Sequence, residues 1–464
     1  MAGGGNSLPS SSCGDDKKRR VCYYYDPGIS TVDYGEGHVM VPHRVTMAHN
    51  LVAAYGLLRD MRRLRTAPAT EAELAEVHDG DYVALLRDLT PDTYRRDDGG
   101  IGDRARGREI GVAGNNGCVD NPVFDHLWDY CRRYSGGSLA AARALVSGDS
   151  DIAINWSGGM HHACRGNAKG FCYVNDIVLA IRELLGHFRR VLYVDIDVHH
   201  GDGVEQAFEA SNRVMTVSFH QYGGGFFPKS GNINDAGDKC SLNVPLRQGI
   251  GDEEYRGLFE PIMARVMEVF QPEAVVLQCG ADSLSGDRLG ELNLTLNGHA
   301  NCVSFLRSFN LPLLLLGGGG YTINHVASCW CNETAVAIGK QIPDDIPKHG
   351  TDLFYLNQNY KLHYTLSNSH NNHNTAKSID DIRQKALKNL STLKLEPAAS
   401  VQFEERGGGS VDVDALYEPR EREEESPTER LHRKCYLEPS PMERCYPKDK
   451  VQPMESSRKQ RKLR

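Results

Sequence analysis

Short apolar runs separated by helix-period segments organise most of this chain. Runs rich in β-type residues at 21–25, 151–155, 190–194, 213–219, 274–279 and 311–316 have the length and residue types of buried strands. Helical patterns occupy 43–58, 175–185, 252–270, 298–309 and 322–338, and in the second half they alternate with the strands. Such βα alternation predicts an α/β fold with a mostly parallel sheet. One domain is expected over residues 21–395. Residues 1–20 read as a disordered N-terminus ending in Lys17-Lys18-Arg19-Arg20, and 396–464 as a disordered charged tail that closes on the basic run 458–464.

Composition narrows the class. At 464 residues, 40% of them hydrophobic, the chain has ample material for a core. No run approaches the ~18 apolar residues of a membrane span, and the polar start lacks the apolar centre of a secretory signal. Thirteen cysteines, an odd number scattered through a large chain, suggest reduced thiols inside the cell. A net charge of −8 argues against a body that binds DNA directly.

The chemistry sits where strands end. Tyr193 to Val198 alternates apolar residues with carboxylates, so Asp195, Asp197 and His199 fall on one side and Ile196 and Val198 on the other. Burying that charge beside an apolar run requires a metal or full pairing. Three further strand candidates lead into polar, Gly-rich sequence: Trp156 to His162, Gly280-Ala281-Asp282, and Gly317 to Tyr321. In parallel α/β sheets ligands bind outside the carboxyl ends of the strands, so these loops converge. Asp197, His199 and Asp282 suit a catalytic metal with a vacant fourth position. The same oxygen-rich set accepts zinc, iron(II) or manganese. An isolated His–His pair is most often a surface or core feature, but beside a metal centre His161 and His162 become candidates for acid–base work.

These segments together resemble the class I histone deacetylases of the arginase/deacetylase superfamily, over roughly residues 21–395. The resemblance rests on Pro42-His43-Arg44, Gly158 to His162, Gly170 to Asp176, Asp195 to Gly203, Gly280-Ala281-Asp282, Ser285-Gly286-Asp287-Arg288 and Gly317 to Tyr321. It implies about eight mostly parallel strands flanked by helices, and metal-dependent hydrolysis of Nε-acetyl-lysine on histone tails, leading to transcriptional repression. It makes His162 the principal proton acceptor and donor, with His161 beside it and Asp195 and Asp202 orienting the pair. Tyr321 becomes an oxyanion donor, its four glycines allowing close backbone approach and positive φ so that the loop can swing the phenol over the carbonyl. Gly170, Phe171 and Phe227 match the walls of the acetyl-lysine channel, and Asp120 its rim. Zinc is the implied ion, iron(II) the other option. A structural potassium ion is implied at Asp195 with Ser218 nearby. Implied partners are acetylated histone tails and corepressor subunits, without sequence-specific nucleic-acid or membrane binding. Location is nuclear, with a cytoplasmic pool as the second option. A small-amine deacetylase and a catalytically weak chromatin scaffold are the competing readings.

The chain also departs from its relatives. Asn121 stands where a Cys is usual, the loop 111–118 is long, and residues 237–241 lack part of a Gly-Lys-Gly-rich segment. Val41 and Asn324 replace Lys and Arg of an inositol-phosphate site, leaving Arg288 and Arg44 as its expected cations. We expect a divergent member with a weak response to that polyanion.

Overall fold

A computed structural model describes residues 19–64, 66–95, 110–112, 120–235, 240–365, 370–393 and 416. Eight strands form one sheet: β1 (Val21–Tyr24), β2 (Arg62–Arg63), β3 (Ile152–Asn155), β4 (Val191–Asp195), β5 (Val214–Gln221), β6 (Ser241–Leu246), β7 (Ala274–Gln278) and β8 (Leu313–Leu316). Their order is β2-β1-β3-β8-β7-β4-β5-β6, and every neighbouring pair is parallel. Asn155 pairs with Leu316, Leu316 with Gln278, and Gln278 with Asp195. The four central strands thus end level, and the loops that follow them leave the same edge together.

The strands are buried on both faces, as a helix-covered parallel sheet requires. Leu192 and Val194 of β4 face one core with Ile154, Leu277 and Leu315, while Val191 and Tyr193 face the other with Ala153, Val276 and Leu314. Ile196 and Val198 continue the first face, which leaves Asp195, Asp197 and His199 to the other side. Helices α1 (His43–Ala54), α2 (Glu71–Ala75), α3 (Gly80–Asp88), α4 (Pro91–Arg95), α5 (Leu127–Val146), α6 (Asp176–Leu185), α7 (Asp202–Phe208), α8 (Asp252–Phe270), α9 (Leu296–Arg307), α10 (Ile323–Ala337) and α11 (Ala376–Thr392) complete the described regular structure apart from short 3-10 turns. No helix among the described residues is long and apolar enough to cross a membrane.

Several elements depart from what the sequence predicts. Helix α5 is absent from the pattern because Ser135-Gly136-Gly137-Ser138 interrupts it. The small residues are there for packing, since a Cβ on Gly137 would lie 2.4 Å from Tyr24 Cε1. Strand β6, α7 and α11 are additions too, and α1 stops at Ala54, short of residue 58. Arg19, assigned by composition to the disordered start, is buried. Its guanidinium donates to the carbonyls of Asp151, Arg307 and Leu311 and to Asn310 Oδ1, and Asp151 also accepts from Arg20. These bonds tie the chain start to the lower end of the sheet. The nine described cysteines are all free thiols, as expected. Lys17, Lys18, most of the 111–118 loop, much of 237–241 and the run 458–464 lie outside the described residues.

Candidate active site

The loop after β4 carries the centre of the site. Asp197 is buried, and both its oxygens are held: Oδ1 accepts the His199 amide at 3.0 Å, and Oδ2 accepts from Gln278 Nε2 at 2.9 Å and the Gly319 amide at 2.8 Å. Asp282 enters from the loop after β7, fixed by the Val198 amide at 2.9 Å. His199 Nδ1 stands 3.1 Å from Asp197 Oδ1 and 3.2 Å from Asp282 Oδ2. Two buried carboxylates side by side oppose each other: burial and the Asp197 charge push Asp282 up to about 7, against the pull of His199. Burial works on Asp197 in the same sense, but the imidazoles of His161 and His199 outweigh it and hold Asp197 well below the usual carboxylate range. Burial lowers His199 while the two carboxylates raise it to about 10. Two anions and a ring nitrogen facing one point form a donor set that fits a divalent cation, which would take the place of the imidazole proton.

Two His–Asp pairs flank this cluster. His161 Nδ1 meets Asp195 Oδ2 at 2.7 Å, and Tyr193 donates its hydroxyl to the same oxygen at 2.6 Å. His162 Nδ1 meets Asp202 Oδ1 at 2.7 Å, while Lys169 Nζ grips the second Asp202 oxygen. The rings lie 3.9 Å apart yet differ in proton affinity. For His161, burial lowers the affinity but Asp195 and Asp197 overcome it, raising the group to about 9. For His162, burial and the neighbouring His161 lower it to about 3, with Asp202 opposing. One imidazole is thus charged and the other neutral near pH 7, which leaves His162 as the ring free to accept a proton.

Tyr321 follows the glycine run after β8, almost wholly buried, with its ring edge-on to Phe171 at 5.7 Å. That run is held by hydrogen bonds and close packing. A Cβ on Gly319 would fall 1.9 Å from Asp282 Oδ2, so glycine is needed for close approach. Arg44 donates to the carbonyls of Gly318 and Gly320 at 2.5 Å each, and Asp287 Oδ2 accepts the Tyr321 amide at 2.6 Å and that of Thr322 at 3.3 Å. Arg44 is therefore no part of a surface basic cluster, which corrects the expectation for that residue. Asn324 bonds Gln358 at 2.9 Å, and Arg288 is exposed.

The residues expected to line a channel pack against His162 and Tyr321. Phe227 lies edge-on to His162 at 5.0 Å, and Gly170 backs directly onto the same imidazole. Phe226, not anticipated, stacks on His199 at 5.2 Å. Gly170 and Phe171 both have positive φ, 52° and 67°, a conformation that costs a non-glycine residue about 1–3 kcal/mol. Asp120 is exposed beside buried Asn121, and Ser218 is the register partner of Asp195.

A second cluster, His299, Cys329 and Glu333, is also wholly buried. His299 Nδ1 is only 2.6 Å from Glu333 Oε1, and its other nitrogen donates to Gly280 O at 2.9 Å. Both ring nitrogens are thus committed to hydrogen bonds, and the cluster braces the loop that carries Asp282. Separation in sequence hid it, as it hid Gln278 and the contacts that Arg44 and Asp287 make with the glycine run and Tyr321.

Comparisons with known proteins give the family. The histone deacetylase domain family matches residues 38–337. "Histone deacetylase 1" of rice is 53% identical over 435 residues, covering 93% of this chain and 79% of the relative. "Histone deacetylase 19" of Arabidopsis thaliana is 53% identical over 410 residues, 88% of this chain and 78% of its own length. "Histone deacetylase 1" of cattle is 50% identical over 390 residues, 83% and 78% respectively.

Proposed function

Since this chain belongs to the class I histone deacetylase family, we propose that Asp197, His199 and Asp282 hold its catalytic metal and that the residues around them hydrolyse Nε-acetyl-lysine. The protein is a metal-dependent hydrolase acting on acetylated histones. The observation carrying the site assignment is the convergence of three buried ligand side chains with two differently charged His–Asp pairs. Zinc is our reading of the ion, ahead of iron(II), which this donor set also accepts. Bound there, the metal supplies Lewis acidity, polarising the acetyl carbonyl and acidifying water.

The chain's own residues do the rest. Neutral His162, oriented through Nδ1 by Asp202, takes a proton from the attacking water and returns one to the lysine nitrogen as the C–N bond breaks, giving acetate and lysine. His161, held charged by Asp195, keeps a positive field beside the developing anion. Burial, with Asp282 and Asp197 adding to it, keeps the Tyr321 phenol protonated and able to donate to the oxyanion. Gly170, Phe171 and Phe227 line the lysine stem, and Asp120 accepts from the substrate backbone. Asp195 and Ser218 border the potassium site of this reading. Corepressor subunits, repression and a chiefly nuclear location complete it.

Hydrolysis of acetylated histone peptides and acetylpolyamines by metal-reconstituted protein tests the reading. Preference for the peptides supports it. Preference for the polyamines would make this a small-amine deacetylase, and activity on neither would leave a scaffold.

A further inference from the structure

The channel wall rests on a side chain that none of these roles uses. Asn121 is 1% exposed, immediately after the rim residue Asp120, and its amide spans the strained loop. Oδ1 accepts the Phe171 amide at 3.2 Å, and Nδ2 donates to the Cys172 carbonyl at 3.1 Å. On the other side Tyr34 donates its hydroxyl to the Phe171 carbonyl at 3.0 Å. Tyr34 is itself immobile, wholly buried against Phe124, Tyr130 and Tyr173. Phe171 is thereby held at both its amide and its carbonyl, in a backbone conformation it would otherwise leave. Its ring is packed edge-on between His38 at 4.8 Å and Tyr321 at 5.7 Å.

We propose that Asn121 is a positioning residue that sets the width of the acetyl-lysine channel, through which the acyl group must pass, and so favours acetyl over longer acyl chains by fixing Phe171. The inference rests on the reading of Phe171 as a channel wall. A wall with two backbone anchors cannot retreat to admit extra methylenes without breaking a buried hydrogen bond. With the Asn121 anchor gone, Phe171 relaxes toward negative φ and the channel widens beside Tyr321. A side chain with one hydrogen-bonding atom holds the wall only partly.

The test compares wild type with Asn121→Ala on acetyl- and butyryl-lysine versions of one histone peptide. The expected result is a rise of roughly 10-fold in the butyryl-to-acetyl ratio of kcat/KM, the low end of what one of butyryl's two added methylenes commands in an apolar pocket, at unchanged metal content. A purely structural role would lower both rates together, and an unchanged ratio overturns the proposal. Asn121→Ser, which keeps one hydrogen-bonding atom, should show a smaller rise and serves if the alanine variant does not fold. Amide hydrogen exchange over residues 170–172 reads the clip without any turnover. Faster exchange in either variant supports it and unchanged exchange refutes it. A wild-type protein inactive on both peptides would instead count against the functional reading.

Discussion

Replacing Tyr321 by Phe removes one hydroxyl and little else. The ring keeps its edge-on contact with Phe171 at 5.7 Å. The backbone stays pinned by Asp287 at the Tyr321 amide and by Arg44 at the carbonyls of Gly318 and Gly320. Because burial, reinforced by Asp282 and Asp197, raises the phenol well above its ordinary value, the native group is a neutral donor near pH 7 and its loss changes no charge. In the proposed mechanism, what disappears is one preorganised donor facing the charge that develops on the acetyl oxygen. That term is about 2.7–4 kcal/mol, a fall of roughly 10²–10³ in kcat. Ground-state binding depends on the channel walls, so KM should move by no more than about threefold. Steady-state hydrolysis of an acetylated histone peptide, with metal content and thermal melting measured on the same sample, decides it. A variant with full metal content and a kcat near that of wild type would remove Tyr321 from the mechanism.

Asp197→Ala, His199→Ala and Asp282→Ala should each lose the metal and the activity, and metal analysis showing normal content with activity kept in any one would overturn the ligand set. Arg44→Ala leaves the carbonyls of Gly318 and Gly320 unpaired in the interior, so chemical denaturation should show a loss of roughly 2–5 kcal/mol, with kcat falling as the Tyr321 loop loosens. Added inositol hexakisphosphate should change activity little, because Val41 and Asn324 supply no charge and Arg44 is buried. Val41→Lys with Asn324→Arg should tighten calorimetric binding at least about tenfold, since each charge-assisted bond contributes about 1.5–3 kcal/mol before desolvation. Deleting residues 458–464 should shift the tagged protein from nucleus to cytoplasm on imaging, and an unchanged nuclear signal would point to Lys17–Arg20 or to import with a partner.

Much of the site was legible from the chain because its chemistry is local to strand ends. The alternation through Asp195, Ile196, Asp197, Val198 and His199 determines which residues share a side, since side-chain period in an extended chain is set by backbone geometry alone. Strand ends followed by glycine and ionisable residues likewise marked the loops that carry His161, His162, Asp282 and Tyr321, because parallel topology brings the carboxyl ends of strands to one edge.

What remained hidden depended on contacts distant in sequence. Arg44 looked like a surface cation, yet it is a buried clamp on glycines far along the chain, and only folding brings the two together. The glycine run before Tyr321 marked a place of close approach, but which groups come close, Asp282 and Gln278, is decided only by the fold. Helix α5 was obscured because its Gly-Gly pair weakens the local signal that tertiary packing on β1 and β3 then overrides. His161 and His162 are adjacent and chemically identical in the sequence. Their opposite proton affinities arise only when one ring meets Asp195 and Asp197 and the other Asp202 in a buried site, where the balance of charge and desolvation, invisible in a string of residues, decides which imidazole carries the proton.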